Sequence, residues 1–428
     1  MIGCRGVGLR VMENKLGDHK NNKMYYGYTI AFSAFFIQIL GPGSYVTYGI
    51  FFNSFLTEFG WSRATISGAS SLFFFMFGLL GILTGRLVDK IGPRIVMTGC
   101  GIFYGLGYLL MSQIQSVWQL YLFYGLFVAI GFSAIDVVTL STIARWFRRR
   151  RGTMTGTIKV GAGVGLLLGP LAINWLILNY GWRTSYNVMG GVVLFFLVAA
   201  SQFLKRDPSR IGLLPDGEKR TGAEKVSLEE RGLSLQKAFQ TRQFWMLCVM
   251  CLFFGFCLQT VMIHSAPYAI DIGASPSRAA RILSIIGGVS IAGRFIMGNA
   301  SDKIGNKRAY IMCFSCFAIA FISILTMREL WVLYLFAVIY GFGHGGLWVL
   351  LSPVLAELFG IASHGTIFGL VYFVITIGGT IGPFWAGYLF DITGSYQIVF
   401  STCLLFSIVA VILSACLTPT TYSNAKRI

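Results

Sequence analysis

The chain has 428 residues, of which 55% are hydrophobic and only 12% charged, and its mean hydropathy is +0.71. Soluble domains carry about 25% charged residues, so the composition excludes an ordinary soluble protein and describes an integral membrane one. The net charge of +18 raises the question of a nucleic-acid partner, which the placement of the basic residues answers below.

Apolar runs of about 20 residues, each enough to cross ~30 Å of hydrocarbon as helix, recur twelve times. They fall near 25–55, 64–87, 93–114, 118–147, 152–179, 184–204, 243–270, 280–301, 308–327, 331–359, 364–390 and 396–417. This predicts an all-α integral membrane protein of twelve transmembrane helices. Its parts are an N-terminal arm (1–24), a six-helix half (25–204), a linker (205–242), a second six-helix half (243–417) and a tail (418–428). Counted loop by loop, Lys and Arg number 27 on the side of the arm, linker and tail and five on the other. That is the positive-inside bias with both termini cytoplasmic; topology accounts for the basicity and no nucleic acid is needed. The arm lacks an apolar h-region, so no cleaved signal peptide is expected.

In chain order, the first span contains Gly41-Pro42-Gly43, expected to interrupt the helix and present Tyr45 and Tyr48 to a cavity. The second ends in the loop Gly85-Arg-Leu-Val-Asp89-Lys-Ile-Gly92. The fourth carries Tyr124, Asp136 deep within it, and Arg145 nearer its end, expected to snorkel or to gate. The fifth carries Lys159; Asp136 and Lys159 read as a mutually compensating buried pair, with proton coupling the sharper alternative. Gly161, Gly165 and Gly169 in this span, and Gly378 and Gly382 in the eleventh, are expected to let the two halves move past each other at close range. In the linker, SLEERGLSLQKAF suits a short surface helix. Cys248-x-x-Cys251 and Cys313-x-x-Cys316 lie within spans without His or Asp beside them, which suits packing rather than metal. No nucleotide-binding loop or nucleophile–base constellation occurs, so an enzyme is not expected, and no cofactor is implied.

The eighth span holds Arg294, eight residues before Asp302 and so ~12 Å deep at 1.5 Å per residue. A guanidinium cannot shed its charge and is tolerable there only facing water or an anion. Its planar fork grips a carboxylate with two parallel hydrogen bonds, so Arg294 is the candidate substrate anchor; a structural ion pair is the plainer alternative. His264, near the outer end of the seventh span, reads as packing, substrate binding or proton acceptance. His344, in Gly341-Phe-Gly-His-Gly-Gly of the tenth, reads as packing or proton coupling. Tyr340, Trp348, Tyr372 and Phe373 complete the aromatic candidates.

The second half repeats the first at an offset of 213 residues. Gly85…Asp89-Lys-Ile-Gly92 matches Gly298…Asp302-Lys-Ile-Gly305, Gly152-Thr matches Gly365-Thr, and Gly169-Pro170 matches Gly382-Pro383. Copies six spans apart are parallel halves related by an axis along the membrane normal. Asp89 and Asp302 are expected to act in gating, by capping a helix or pairing with an arginine of the facing half.

The two G-x-x-x-D-K-I-G loops resemble the signature of the major facilitator superfamily. Tyr48-Gly-Ile-Phe-Phe…Glu58-Phe-Gly-Trp-Ser-Arg, Trp146-Phe-Arg-Arg-Arg-Arg-Gly and Gly382-Pro-Phe-Trp-Ala-Gly-Tyr-Leu-Phe-Asp391 are more narrowly similar to the monocarboxylate transporter and oxalate–formate antiporter group. The resemblance implies a two-half transporter fold and a small organic anion held at Arg294. The group's Asp one turn before that arginine is Ser290 here, its first-span Lys aligns with Val46, and the oxalate carriers' eleventh-span Lys is replaced by Ile375. One cavity cation suits one carboxylate. The leading expectation is therefore a secondary transporter of lactate- or pyruvate-like monocarboxylates in the cell membrane, with a cotransported proton and a monomeric working unit. An organic-anion exchanger of the oxalate–formate type and a non-translocating sensor are the rivals.

Overall fold

A computed structural model of the chain describes residues 25–61, 63–217, 232–274, 276–326, 329 and 331–418. The expected arm, residues 218–231 of the linker and nearly all of the tail lie outside them. Among the described residues, eleven helices are long and apolar enough to cross a membrane. One of them, Arg151–Ser201, holds two spans, because Gly181 breaks it at φ 77°, ψ 164°. Only a residue without a Cβ adopts that backbone readily, and the twelve expected spans result.

They are α1 (Tyr26–Tyr45), α2 (Arg63–Ile91), α3 (Pro93–Met111), α4 (Val117–Trp146), and α5 and α6 on either side of Gly181. Then come α7 (Arg242–Asp271), α8 (Pro276–Ile304), α9 (Asn306–Leu325), α10 (Val332–Phe359), α11 (His364–Thr393) and α12 (Gln397–Cys416). The interruption of α1 falls at Val46–Thr47 rather than at Gly41–Gly43, after which the chain continues as the helix Tyr48–Phe59. Pro42 sits inside the helix. Its own N–H is missing, yet its carbonyl still accepts from Val46 at 3.2 Å, which postpones the break. Of the stretch SLEERGLSLQKAF, residues 227–231 lie outside the described ones and Leu235–Phe239 is α-helical, with Ser234 Oγ accepting from the Lys237 amide at 3.4 Å.

The glycines expected between the halves lie elsewhere. Gly165 and Gly169 press on Gly43 of α1, and Gly378 and Gly382 press on the α7 backbone at Leu252 and Phe256. They tighten each half internally. The halves instead meet through α2 on α11, with Gly81 against Gly369 and Gly85 against Gly365, and through α5 on α8, with Gly152 and Gly156 against Gly298. A side chain at any of these except Gly81 would strike backbone, which is why small residues line helix contacts where lipid supplies no hydrophobic drive.

These contacts close one end of the molecule, the end that carries the linker. There Ser352 Oγ donates to the Leu140 carbonyl at 3.3 Å, joining α10 to α4 across the halves. Toward the other end these close contacts stop. A Cβ built on Gly287 or Gly288 of α8 would meet nothing within 4 Å. The side chains at the end of contact, near Gly163 and Ile291, frame the middle of the molecule.

Candidate functional site

At that middle level a carboxylate is gripped from three helices. Asp136 of α4 accepts from Lys159 Nζ of α5 at 2.5 Å and from Gln38 Nε2 of α1 at 2.7 Å, both at Oδ1. Its Oδ2 accepts from the Tyr372 hydroxyl of α11 at 2.8 Å. Lys159 and Tyr372 are separated by the repeat offset of 213, so equivalent positions in the two halves converge on one acid. Gln38 also donates to Thr139 Oγ1 at 2.9 Å. Lys159 and Asp136 are 6% and 12% exposed in their side chains, and each offsets the other's desolvation, as a buried pair must. The Tyr372 bond makes this cluster an inter-half contact as well.

Arg294 is 4% exposed. Its Nη1 lies 3.5 Å from the Lys159 carbonyl, a marginal bond, and its Nε is buried with no partner among the described residues. No ion pair to Arg294 is formed among those residues. The plainer alternative of a structural salt bridge is therefore not what this structure contains. Asp136, Lys159 and Arg294 together leave one positive charge uncompensated. Beside them stands Trp348 of α10, its ring 5.3 Å from Lys159 Nζ and 5.6 Å from the Tyr372 ring. Trp348 Nε1 donates to His344 Nε2 at 2.9 Å.

The other aromatic candidates divide by half. Tyr48 stacks on Tyr124 at 4.0 Å and donates to the Ile66 carbonyl at 2.7 Å. The Tyr124 hydroxyl is buried without a partner among the described residues. Phe73 and Phe77 carry this cluster on to Tyr372, whose ring is 5.8 Å from Phe77. Phe373 lies between the halves, against Gly78 and 6.5 Å from Phe75. Tyr340 is turned into its own half, stacked on Phe317 at 4.4 Å and donating to the Cys257 carbonyl at 3.2 Å. His264 also stands apart: both ring nitrogens are engaged, with the Tyr396 hydroxyl and the Pro383 carbonyl, each at 3.1 Å. Those bonds tie α7 to α11 and to the start of α12.

At the closed end, Asp89 of α2 accepts from the Gly365 amide at 3.2 Å and from the Thr366 amide and hydroxyl at 2.8 Å. It caps the first turn of α11 in the facing half. Asp302 of α8 does the same for α5, accepting from the Gly152 amide at 2.8 Å and the Thr153 amide and hydroxyl at 2.7 Å. Arg145 does not snorkel. It is 3% exposed and bridges Asp89 at 3.1 Å and Asp207 at 3.2 Å, because the start of the linker folds over it and supplies the second carboxylate. Its Nη2 also reaches the Ala362 carbonyl at 3.4 Å.

Sequence reasoning missed Gln38 and Asp207. A lone amide in the apolar run of α1 was the available signal for the first. Nothing local marks Asp207, which follows two basic residues in a polar loop.

A sequence model of the Major Facilitator Superfamily matches residues 31–325 and 265–428. Monocarboxylate transporter 13 of Bos taurus is 29% identical over 383 residues, covering 88% of this chain and 85% of that one. Monocarboxylate transporter 4 of Rattus norvegicus is 27% identical over 384 residues, covering 88% and 79%. MFS-type transporter 1 of Ophiocordyceps sp. (strain BCC 1869) is 26% identical over 353 residues, covering 82% and 75%. Among solved structures, the E. coli fucose:proton symporter superposes with a TM-score of 0.72 at 14% identity, covering 92% and 98%. The human organic anion transporter MFSD10 superposes with a TM-score of 0.68 at 17% identity, covering 91% and 99%.

Proposed function

The chain belongs to the major facilitator superfamily, and from that premise we propose that it moves small monocarboxylates of the lactate and pyruvate type across the membrane together with a proton. It is a multi-pass membrane transporter whose relatives include monocarboxylate transporters. What carries the narrower reading is Arg294, a buried guanidinium that, among the described residues, has no carboxylate partner and an orphaned Nε. A buried charge left uncompensated is expensive, and a substrate carboxylate removes the deficit. The single net positive charge of the Asp136–Lys159–Arg294 group favours one carboxylate over two.

Asp136 is the proton site of this reading. It faces Lys159, Gln38 and Tyr372 directly. Protonation would release its hold on Lys159 and on Tyr372 of the other half, so that proton uptake loosens an inter-half contact. A proton with a monoanion carries no net charge, so the pH gradient drives the cycle and the membrane potential does not. The positive-inside bias supports both termini lying in the cytoplasm. With that orientation the closed end faces inward. Residues 25–204 and 243–417 then form the two rocking bodies of a monomeric transporter.

Uptake of radiolabelled lactate into proteoliposomes tests this. An inward proton gradient is expected to stimulate wild-type uptake, and Arg294→Gln to reduce it at least about a hundredfold, as losing one partner of a buried charge-assisted contact implies. Retained uptake by that variant would send Arg294 back to a structural role, and indifference to the gradient would remove the proton. Asp136→Asn is expected to keep lactate exchange while losing the response to the gradient. A response that survives places the proton elsewhere.

A further inference from the structure

We propose that His344 is the specificity-determining hydrogen-bond donor of this site. On this proposal it selects acids that carry a second oxygen beside the carboxylate, as 2-hydroxy and 2-oxo acids do. The inference rests on Arg294 being the carboxylate anchor.

An indole N–H can only donate, and Trp348 Nε1 donates to His344 Nε2 at 2.9 Å. Nε2 must therefore present its lone pair. The ring is neutral, because an imidazolium has no lone pair to offer, and its single N–H is on Nδ1. That Nδ1 is buried and has no partner among the described residues. Buried polar atoms are nearly always paired, so a fixed N–H donor left without an acceptor points to an acceptor the protein itself does not supply.

Arg294 Nε presents a second orphan of the same kind, and the helices carrying the two are in backbone contact. Gly345, the residue after His344, packs against the Ser290 carbonyl and the Arg294 amide. On α10, Tyr340, His344 and Trp348 follow one another at single-turn spacing and so share a face. That face reaches the half interface through Trp348, which meets Tyr372 and Lys159. The ring of His344 is steadied by stacking on Tyr340, at 6.2 Å and 7°, with Phe254 of α7 at 6.5 Å. A rigid ring with a fixed tautomer can discriminate between an oxygen and a methylene at one place in a substrate. Two donors on adjoining helices, one charged and one neutral, suit a carboxylate with a neutral oxygen beside it. Trp348 is then a positioning residue, acting through the tautomer it imposes.

The experiment measures KM and kcat for lactate, pyruvate and propionate in proteoliposomes. Wild type is expected to favour lactate and pyruvate over propionate, and His344→Leu to shrink that preference by about tenfold, roughly one buried hydrogen bond, mostly through KM, while propionate uptake stays within about twofold. His344→Asn, which offers an amide N–H near the Nδ1 position, is expected to keep much of the preference. Trp348→Phe, which frees the tautomer, is expected to lose about threefold of it. The proposal is overturned if wild type shows no preference or if His344→Leu leaves it unchanged. If His344→Leu is inactive toward all three acids, His344→Asn decides: a retained preference supports the proposal and a lost one overturns it. Failure of the monocarboxylate reading itself would look different: no uptake of any of these acids by wild type, or uptake insensitive to Arg294→Gln.

Discussion

Asp89 and Asp302 occupy the same place in the repeat, and each caps the first turn of a helix in the facing half through two amides and a threonine hydroxyl. They differ in what stands behind them. Asp89 is 13% exposed in its side chain and is held by Arg145, which also holds Asp207 and reaches Ala362 of the other half. Asp302 is exposed, and among the described residues it forms no ion pair. The position equivalent to Arg145 is Leu358. Arg151, at the head of the helix that Asp302 caps, turns its guanidinium to the Ala144 and Phe147 carbonyls of its own half. Repetition thus preserved the cap, while the arginine bridge exists on one side alone. The α2–α11 contact is the stronger half of the closure, and opening at this end should be limited by it.

Removing the bridge is the most damaging way to break that asymmetry. Arg145→Leu leaves the half-buried Asp89 without its cation and the buried Asp207 with Arg206 alone. Stripping one partner from a buried pair costs about 3–5 kcal/mol. The variant should unfold at clearly lower temperature in detergent. A cysteine placed at Ala362, whose carbonyl the arginine contacts, should react faster with a water-soluble maleimide than in the parent. An unchanged labelling rate would mean that the bridge stabilises the first half without holding the two halves together.

The two caps were legible because their chemistry is local and repeated: an acid four residues after a glycine, followed by Lys-Ile-Gly, and found again 213 residues later. The spans were legible because backbone in hydrocarbon must satisfy its own hydrogen bonds, so that length and composition suffice. Arg294 stood out for the same reason. What could not be read was the rotation of each helix. A helix apolar all round has no polar face to betray its orientation, and so Tyr340 and His264, named as candidates beside Tyr372, turn into their own half. The glycines show the same limit. Their small surface announces a close neighbour, but whether Gly165 meets α1 or the other half depends on packing that no local pattern encodes. Gln38 and Asp207 were missed because each matters only through what converges on it from distant chain.

The two caps themselves give a finer comparison. Asp89→Asn loses the charge that Arg145 and the α11 amides share, with an expected cost of about 1.5–3 kcal/mol, as for hydrogen bonds to charged groups. Asp302→Asn loses charge-assisted bonds to two amides and a hydroxyl that water can partly replace, and about 0.5–1.5 kcal/mol is expected. Both variants keep a side-chain oxygen able to cap, so the difference between them isolates the arginine's share rather than the cap's. It is read as the gap between their unfolding temperatures, and again after adding Arg145→Leu to each. The arginine variant should erase most of the effect of Asp89→Asn and leave that of Asp302→Asn unchanged, since coupled sites are non-additive and distant ones add. Equal costs for the two single variants, or additivity at Asp89, would mean that the caps are equivalent and that the bridge serves the linker alone.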